Sequence, residues 1–289
     1  MANPLRALLR PGGGVLIPGA ANALAARIAQ HAGFEVVMLT GAGLANTFLG
    51  VPDIGLTTHT EVNAHLEAMR EAISIPIIVD GDSGFGNAVN TYRTVRAFER
   101  AGADAIQLED QTFPKRCGHF SGKHVIPMAE MVHKIEAACD ARRGDMLILA
   151  RTDAYALEGL DRALERARAY QEAGADLLFV EAPITQEELA RIPRDVPGPH
   201  MCNMVYGGRT PLLSREHLAQ MGYAGIIYAN AALQASMLAM KQVLGHLHAQ
   251  GSLEGAQDKL VSFAERQANV DFERYAGLER RYGDGGLGH

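Results

Sequence analysis

The apolar residues of the chain are concentrated in eight short runs that polar residues hardly interrupt. The runs cover residues 14–19, 35–40, 76–82, 104–110, 146–151, 176–181, 200–204 and 225–230. Each run is too short for a helix and too continuous for a strand that exposes one face to water. The pattern is typical of strands that are buried on both faces, as in a parallel sheet.

The segments between these runs carry apolar residues at helical spacing. The clearest is 159–173, where Leu160, Leu164 and Tyr170 belong to one apolar face. Several of the segments end at a glycine just before the next apolar run, and glycine readily adopts the left-handed conformation that ends a helix. These glycines are Gly33, Gly102, Gly174 and Gly222. The chain is therefore predicted to alternate strands with helices.

The repeat of these signals predicts the fold. Gly33, Gly102 and Gly174 stand 69 and then 72 residues apart, and each interval holds two strand–helix units. Eight such units predict a (β/α)8 TIM barrel. A doubly wound sheet is the alternative, but the glycine-rich residues 81–86, GDSGFG, have the wrong order and place for a dinucleotide-binding turn.

Two further helical patterns, 231–249 and 254–278, follow the last predicted strand and exceed what a closed barrel needs. Their apolar positions have to be covered by other surfaces. We predict one barrel domain over residues 1–289, in which the helices of 231–280 pack on the barrel or on a neighbouring subunit.

Composition narrows the class of protein. The chain has 289 residues, 47% of them hydrophobic, a formal charge of −6 and a pI near 6.0, with no run of basic residues that would favour nucleic acid. Its most apolar stretch, 34–51, is interrupted by polar residues, and no signal-peptide pattern begins the sequence, so neither a membrane span nor secretion is expected. Three cysteines without a C-x-x-C pair favour a reducing, cytoplasmic compartment. A small-molecule enzyme fits these features.

Polar residues end nearly every predicted strand. In a TIM barrel the active site lies at the carboxyl ends of the strands, so these residues are site candidates. Any one of them could simply bond the backbone where a loop begins. Their convergence favours a site, and the set is Thr40, Asp80, Asp82, Glu109, Asp110, Arg151, Asp153, Glu181, Asn203, Tyr228 and Asn230.

Three carboxylates, Asp80, Asp82 and Glu109, fall on neighbouring predicted strands. So many negative charges in one pocket require a cation. Oxygen-only ligation favours Mg²⁺, or Mn²⁺, over zinc. The alternative is that two of the carboxylates form ion pairs with Lys115 or Arg151, although this does not easily account for all three.

Cys117 is a candidate for proton transfer. It lies in the polar segment PKRCGHFSGKH, next to Lys115, Arg116 and His119, and nearby positive charge stabilises a thiolate. A buried structural role suits Cys139, within a helical pattern, much better. We therefore expect Cys117 to exchange a proton with a substrate.

Six motifs together resemble the isocitrate lyase and phosphoenolpyruvate mutase superfamily. They are GVPD at 50–53, VDGDSGFGN at 79–87, LEDQ at 108–111, KRCGH at 115–119, ARTDA at 150–154 and FVEAP at 179–183. The resemblance runs in order from residue 12 to 245, and its cysteine-containing loop marks the carbon–carbon lyase branch. It implies a barrel, dependence on Mg²⁺ and a homotetramer that exchanges C-terminal helices between subunits.

The resemblance also implies roles for individual residues. Asp80 is expected to bind the metal directly, Asp82 and Glu109 through water, and Asp53 to lie next to this shell. The 2-oxo-acid half of the substrate is expected to contact Thr40, Gly41, Gly118, His119, Arg151, Asn203 and Thr210. The expected catalytic set is Cys117 as proton donor, with Lys115, His119, Arg151 and Glu181.

Departures from the family pattern bear on the substrate. Methylisocitrate lyases have a tyrosine and a hydroxyl-bearing residue where this chain has Met38 and Val205, and such hydroxyls hold an additional carboxylate; burying that charge without them is costly. Tyr206 also replaces the acid that is usual in dimethylmalate lyases. The favoured prediction is cleavage of an alkyl-substituted malate, such as 2,3-dimethylmalate, into a 2-oxo acid such as pyruvate and a carboxylic acid. Alternatives are 2-methylisocitrate lyase, an oxaloacetate decarboxylase or hydrolase, and a non-catalytic binding protein.

Overall fold

The computed structural model describes residues 3–116, 118 and 122–283. Eight parallel strands close into a barrel in sequence order, with β8 paired to β1. The strands are β1 Val15–Ala20, β2 Val37–Leu39, β3 Ile77–Asp80, β4 Ala105–Glu109, β5 Leu147–Thr152, β6 Leu177–Val180, β7 His200–Asn203 and β8 Tyr223–Tyr228. The predicted (β/α)8 barrel is confirmed.

Helices surround the strands. They are α1 Pro4–Leu8, α2 Ala23–His31, α3 Gly41–Leu44 with a π-helical turn Ala45–Leu49, α4 His59–Ala72, α5 Ala88–Arg100, α6 Met128–Ala141, α7 Tyr155–Glu158, α8 Leu160–Glu172, α9 Gln186–Asp195 and α10 Arg215–Met221. Beyond β8 come α11 Ala231–Gln250, a 3₁₀ turn Gln257–Lys259, α12 Phe263–Asn269 and α13 Phe272–Tyr282. No helix of the described part of the chain is both long and apolar enough to cross a bilayer.

All eight predicted strands are present, although some end elsewhere than predicted. Strand β3 ends at Asp80 rather than residue 82, because Asp82 adopts a left-handed φ of 48° that no strand can continue. Strand β8 begins at Tyr223, directly after Gly222, whose φ of 107° ends α10 as predicted. The turn at Asp82 therefore bends the chain at the carboxyl edge of the barrel.

Strand residues alternate between two hydrophobic layers. Side chains including Ile17, Met38 and Phe179 cluster in one layer, which fills the barrel. Their neighbours, including Val37, Leu39 and Val180, pack in a second layer together with helix residues such as Phe98 and Tyr170. Because both faces of each strand are buried, the continuous apolar runs of the sequence are explained.

The chain divides into two compact units, Met1–Leu233 and Gln234–His289. In the second unit, the segment predicted as one helix over 254–278 is interrupted. Ser262 caps the start of α12, and Asp271, with a left-handed φ of 59°, separates α12 from α13. Large apolar side chains of this unit are exposed, including Leu244, Phe263 and Tyr275. Packing of the C-terminal helices on a barrel or a subunit stays a prediction.

Candidate active site

A cleft opens at the carboxyl end of the barrel, with about 510 Å³ of empty space that includes its opening to solvent. Strands β2 to β8 each contribute side chains within two residues of their carboxyl ends, which is why residues far apart in sequence meet here. Polar residues that line the cleft are Thr40, Asp53, Asp80, Gln107, Glu109, Lys115, Arg116, Arg151, Glu181, Asn203 and Asn230. Apolar residues that line it include Met38, Phe179 and Ile227.

Asp80, at the end of β3, is held by neutral donors. Its Oδ1 accepts hydrogen bonds from the backbone N–H of Asp82 and from Gln107 Nε2, both at 3.1 Å. Its Oδ2 accepts the backbone N–H of Gly41 at 3.2 Å. These contacts fix the carboxylate towards the centre of the cleft without a charged partner among the described residues.

Lys115 lies between two other carboxylates. Its Nζ is 2.6 Å from Asp53 Oδ1 and 2.7 Å from Asp82 Oδ1, and all three side chains are buried. Burial raises the pKa of Asp82 to about 7, helped by Asp80 and Asp53 and opposed by Lys115. Burial opposes the charge on Lys115, but the surrounding carboxylates raise its pKa well above the usual value. The alternative ion pairing considered from the sequence is therefore present for two of the three carboxylates, because Asp82 pairs with Lys115 and Glu109 Oε2 lies 3.5 Å from Arg151 Nε.

Arg151, in β5, is the second cation of the cleft. Asp153 holds its guanidinium at two points, with Nε 2.9 Å from Oδ2 and Nη2 3.1 Å from Oδ1. Glu109 Oε2 lies 3.5 Å from Nε, and Glu181 Oε2 lies 3.8 Å from Nη1. Despite desolvation, these carboxylates raise the pKa of Arg151, which stays charged. Burial, with Asp153 and Asp80 adding to it, raises the pKa of Glu109 well above normal.

Glycines bring backbone close to these charges. A Cβ on Gly41 would lie 3.1 Å from Asp80 Oδ2 and 3.2 Å from Lys115 Nζ. A Cβ on Gly118 would lie 2.5 Å from both Arg151 Nη2 and Glu181 Oε1. Gly118 therefore packs directly on the arginine site, which consists of Arg151 and the carboxylates of Glu109, Asp153 and Glu181 around it.

Some buried polar oxygens have no hydrogen-bond partner among the described residues. They include Gln107 Oε1, Glu109 Oε1, Asn203 Oδ1 and Asn230 Oδ1 in the cleft, and Thr210 Oγ1. A buried polar atom without a partner is unfavourable unless a ligand or water meets it. The cleft thus has oxygen ligands and hydrogen-bond acceptors available for a bound group.

The predicted site residues are largely brought together. Thr40, Asp53, Asp80, Glu109, Lys115, Gly118, Arg151, Glu181 and Asn203 line the cleft, and Asp82 and Gly41 contact residues that do. Thr40 also caps α3, accepting the backbone N–H of Gly43. Thr210 is buried but is not a lining residue. Cys117 and His119 lie outside the described residues.

Sequence reasoning missed two participants, namely Gln107 and Lys123. Asn230, one of the strand-end candidates, lines the cleft. Gln107 lies within β4, where its inward position could have been inferred from strand alternation with Glu109. Lys123 is in a polar loop and gave no sign of burial, yet its Nζ is 2.8 Å from Asp153 Oδ1.

The donors fit a hard divalent ion held partly by water. Across residues 3–116, 118 and 122–283, no three acidic, histidine or cysteine side chains form a complete metal cage. Mg²⁺, however, is usually bound by one or two carboxylates plus waters and substrate. Asp80 and the unpartnered Oε1 of Glu109 supply oxygen ligands of that kind.

A closed (β/α)8 barrel with acidic oxygens and two buried cations at its carboxyl mouth defines a class of enzymes that bind small anionic substrates. Comparison with known proteins is more specific. The family model described as phosphoenolpyruvate phosphomutase matches residues 5–248. The chain belongs to the PEP mutase/isocitrate lyase superfamily.

Curated relatives match nearly the whole chain. It is 44% identical to 2,3-dimethylmalate lyase of Eubacterium barkeri, over 98% of this chain and 99% of that protein. It is 41% identical to 2-methylisocitrate lyase of Aeropyrum pernix, over 94% of this chain and 87% of that protein. Both of these relatives are lyases.

Two solved structures are similar to this chain over nearly its whole length. A crystal structure of 2,3-dimethylmalate lyase, a PEP mutase/isocitrate lyase superfamily member, superposes with a TM-score of 0.91 at 31% identity, covering 99% of this chain and 96% of that one. A phosphonopyruvate hydrolase solved with oxalate and Mg²⁺ has a TM-score of 0.87 at 31% identity, covering 98% and 99%.

Proposed function

We propose that the chain is a divalent-metal-dependent carbon–carbon lyase that cleaves an alkyl-substituted malate into a 2-oxo acid and a second carboxylic acid. With 2,3-dimethylmalate the products are pyruvate and propionate. The observation that carries the proposal is the buried cleft in which Asp80 and Glu109 face two cations, Lys115 and Arg151. The full-length similarity to lyases of 2-hydroxy acids supports the same chemistry.

The bond changes define what the residues have to do. The 2-hydroxyl group loses its proton, the C2–C3 bond breaks, and C2 becomes the carbonyl carbon of the 2-oxo acid. The electron pair of the broken bond passes to C3 and its carboxylate, and C3 then takes up a proton. Negative charge therefore forms first on the 2-oxygen and then passes to the carboxylate oxygens of the C3 fragment, and cations fixed in position stabilise it at both places.

The residues of the cleft match these needs. Arg151, held by Asp153, is positioned to bind the carboxylate of the 2-oxo-acid half, and Asn203 to orient its oxygen. Thr40 and Gly41 would complete this half of the site. A divalent ion held by Asp80, with Asp82 and Glu109 through water and Asp53 adjacent, would supply further positive charge for the developing oxyanion.

We assign protonation of C3 to Cys117, which lies outside the described residues. The assignment comes from the KRCGH motif. Lys115, the second residue before it, is buried in the cleft. The Cys117→Ser variant tests the assignment of Cys117. We expect it to lower kcat by at least about 100-fold, the usual range for a lost acid–base group. Full cleavage by the folded serine variant would contradict the assignment.

The apolar walls of the cleft favour alkyl groups on the substrate. Met38, Phe179 and Ile227 line it, and Val205 is buried. An additional carboxylate, as in methylisocitrate, would have to be buried among groups of this kind, at a cost of several kcal/mol unless it is paired. The second candidate activity is that of a 2-methylisocitrate lyase, and the similarity to the enzyme from Aeropyrum pernix supports it.

A substrate screen tests the proposal. The full-length protein with Mg²⁺ is incubated with 2-alkyl and 2,3-dialkyl malates, methylisocitrate, isocitrate and oxaloacetate, and the release of 2-oxo acid is followed. We expect the highest kcat/KM with a dialkyl malate. Preference for methylisocitrate would select the second candidate activity, and oxaloacetate breakdown alone would favour a decarboxylase or hydrolase.

We propose in addition that the protein acts as a cytoplasmic homotetramer in which the helices of 231–280 pack between subunits. The exposed apolar side chains of the C-terminal unit, such as Leu244, Phe263 and Tyr275, support burial in an assembly. Light scattering coupled to gel filtration gives the test. A monomeric mass at micromolar concentration would refute the tetramer.

A further inference from the structure

A buried lysine outside the expected site residues contacts the arginine site. Lys123 follows the KRCGH motif in a polar loop, yet its side chain is 2% exposed. Its Nζ is 2.6 Å from the carbonyl oxygen of Gly118 and 2.8 Å from Asp153 Oδ1. A lysine is almost never buried to this extent unless it is paired.

Lys123 is connected to Arg151 through Asp153, which contacts both side chains. Asp153 is completely buried and shares its carboxylate between the two cations. Its position is fixed from the other side, because Asp110 Oδ1 accepts the backbone N–H of Asp153 at 2.8 Å. The result is a rigid array of alternating charge, Arg151, Asp153, Lys123.

The charge around Arg151 shows why a second cation is needed. Three carboxyl groups lie close to its guanidinium, from Asp153, Glu109 and Glu181, at 2.9, 3.5 and 3.8 Å. An arginine so surrounded by acids attracts an anionic substrate weakly. Lys123 offsets the charge of Asp153, which leaves more of the positive potential of Arg151 directed into the cleft.

Lys123 also holds backbone against the site. Its bond to the Gly118 carbonyl fixes the residue whose Cα packs on Arg151 and Glu181. The ammonium group of Lys123 therefore holds both the carboxylate of Asp153 and the backbone of Gly118.

We propose that Lys123 is a positioning residue for anion binding: it neutralises Asp153 and anchors Gly118, so that Arg151 can bind the substrate carboxylate. The inference rests on the proposed function, because it assumes that the cleft binds a small dicarboxylate or 2-oxo acid. It adds a residue that does not itself line the cleft.

Oxalate binding to the full-length protein in excess Mg²⁺, measured by calorimetry, tests the inference separately from catalysis. Lys123→Gln keeps an N–H donor in the side chain, removes the charge and shortens the side chain by one atom. We expect oxalate affinity to fall about 10- to 100-fold, the range typical of residues that orient a binding group from behind, with thermal unfolding still cooperative. Unchanged affinity in the folded variant would overturn the inference.

A double-mutant cycle with Asp153→Asn sharpens the result. Lys123→Gln removes one positive charge from the array and Asp153→Asn removes one negative charge, whereas the double variant has the same net charge as the parent. We expect the loss of oxalate affinity in the double variant to be clearly smaller than the product of the two single losses. Losses that simply multiply would show that Lys123 does not act through Asp153.

A second buried lysine is the matched control. Within the part of the chain that the structure describes, Lys134 Nζ has one hydrogen-bond partner, the backbone carbonyl of Ser83, at 3.1 Å. Lys134→Gln is expected to bind oxalate within about three-fold of the parent, a difference below 1 kcal/mol. If Lys123→Gln and Lys134→Gln lose the same oxalate affinity, the loss comes from removing any buried lysine, and the positioning role of Lys123 is wrong. If the parent protein itself fails to bind oxalate, the proposed function fails instead.

Discussion

Replacing Gly118 with alanine tests how tightly the arginine site is built. The added Cβ would lie 2.5 Å from Arg151 Nη2 and from Glu181 Oε1, and 2.7 Å from Glu181 Cδ. Favourable contacts of a carbon atom lie at about 3.5–4.0 Å. The methyl group therefore has to displace the guanidinium, the carboxylate or the backbone by about 1 Å.

Displacement of that size is large for a catalytic group. A misplacement of about 1 Å can cost about 100-fold in rate, which corresponds to about 2.7 kcal/mol of transition-state stabilisation. The guanidinium cannot simply turn away, because Asp153 holds it at two points. We expect Gly118→Ala to lower kcat/KM for the preferred alkyl malate by about 100-fold.

The assay is steady-state release of 2-oxo acid in saturating Mg²⁺, with thermal unfolding measured alongside. Gly144→Ala is the matched control, because its Cβ would meet only Glu99 Oε1, at 3.2 Å, away from the cleft. The control is expected to retain parental kcat/KM. A Gly118→Ala enzyme within about three-fold of the parent, 0.65 kcal/mol by the same conversion, would refute the close approach of Gly118 to Arg151 and Glu181.

Three further outcomes are expected. Lys115→Met leaves Asp53 and Asp82 buried without their cation, so urea unfolding in EDTA should show a loss of about 3–5 kcal/mol; an unchanged midpoint would contradict the ion pairs. EDTA should abolish cleavage and lower the melting temperature, and Mg²⁺ should restore both, whereas full activity in EDTA would exclude a metal requirement. Burial lowers the pKa of His200 from 6.5 to about 4. As the pH falls below 6.5, His200 is therefore protonated in the unfolded chain before it is protonated in the folded protein. About 3 kcal/mol of folding stability should be lost between pH 6.5 and a pH below 4. His200→Gln should remove that part of the pH dependence in urea titrations, and identical pH profiles would show that His200 is not held neutral.

The barrel could be predicted from the sequence because its signals are local and repeated. Each strand is buried on both faces and so appears as a continuous apolar run, and glycines such as Gly102 and Gly174 end the helices before them. The exact strand ends were harder to predict. Asp82 is a non-glycine residue with positive φ, which is uncommon and which the apolar and polar pattern of the sequence does not mark.

The candidate site was predictable as far as the strand-end rule reaches. Asp80, Glu109 and Arg151 end neighbouring strands, so the fold alone brings them together. Loop residues follow no such rule. Lys115 and Lys123 resemble solvated lysines in the sequence, and only the three-dimensional path of their loop buries them against Asp53, Asp82 and Asp153.

The two lysines explain how so many charges can share one buried cleft. Burying an unpaired ion costs several kcal/mol, so a cluster of acids needs cations placed between them. Lys115 separates Asp53 from Asp82, and Asp153 separates Lys123 from Arg151. Among the described residues, Asp80 has neutral donors only, and Oε1 of Glu109 has no hydrogen-bond partner. An added divalent ion and an anionic substrate can therefore enter together, each meeting groups that the protein has fixed but not neutralised.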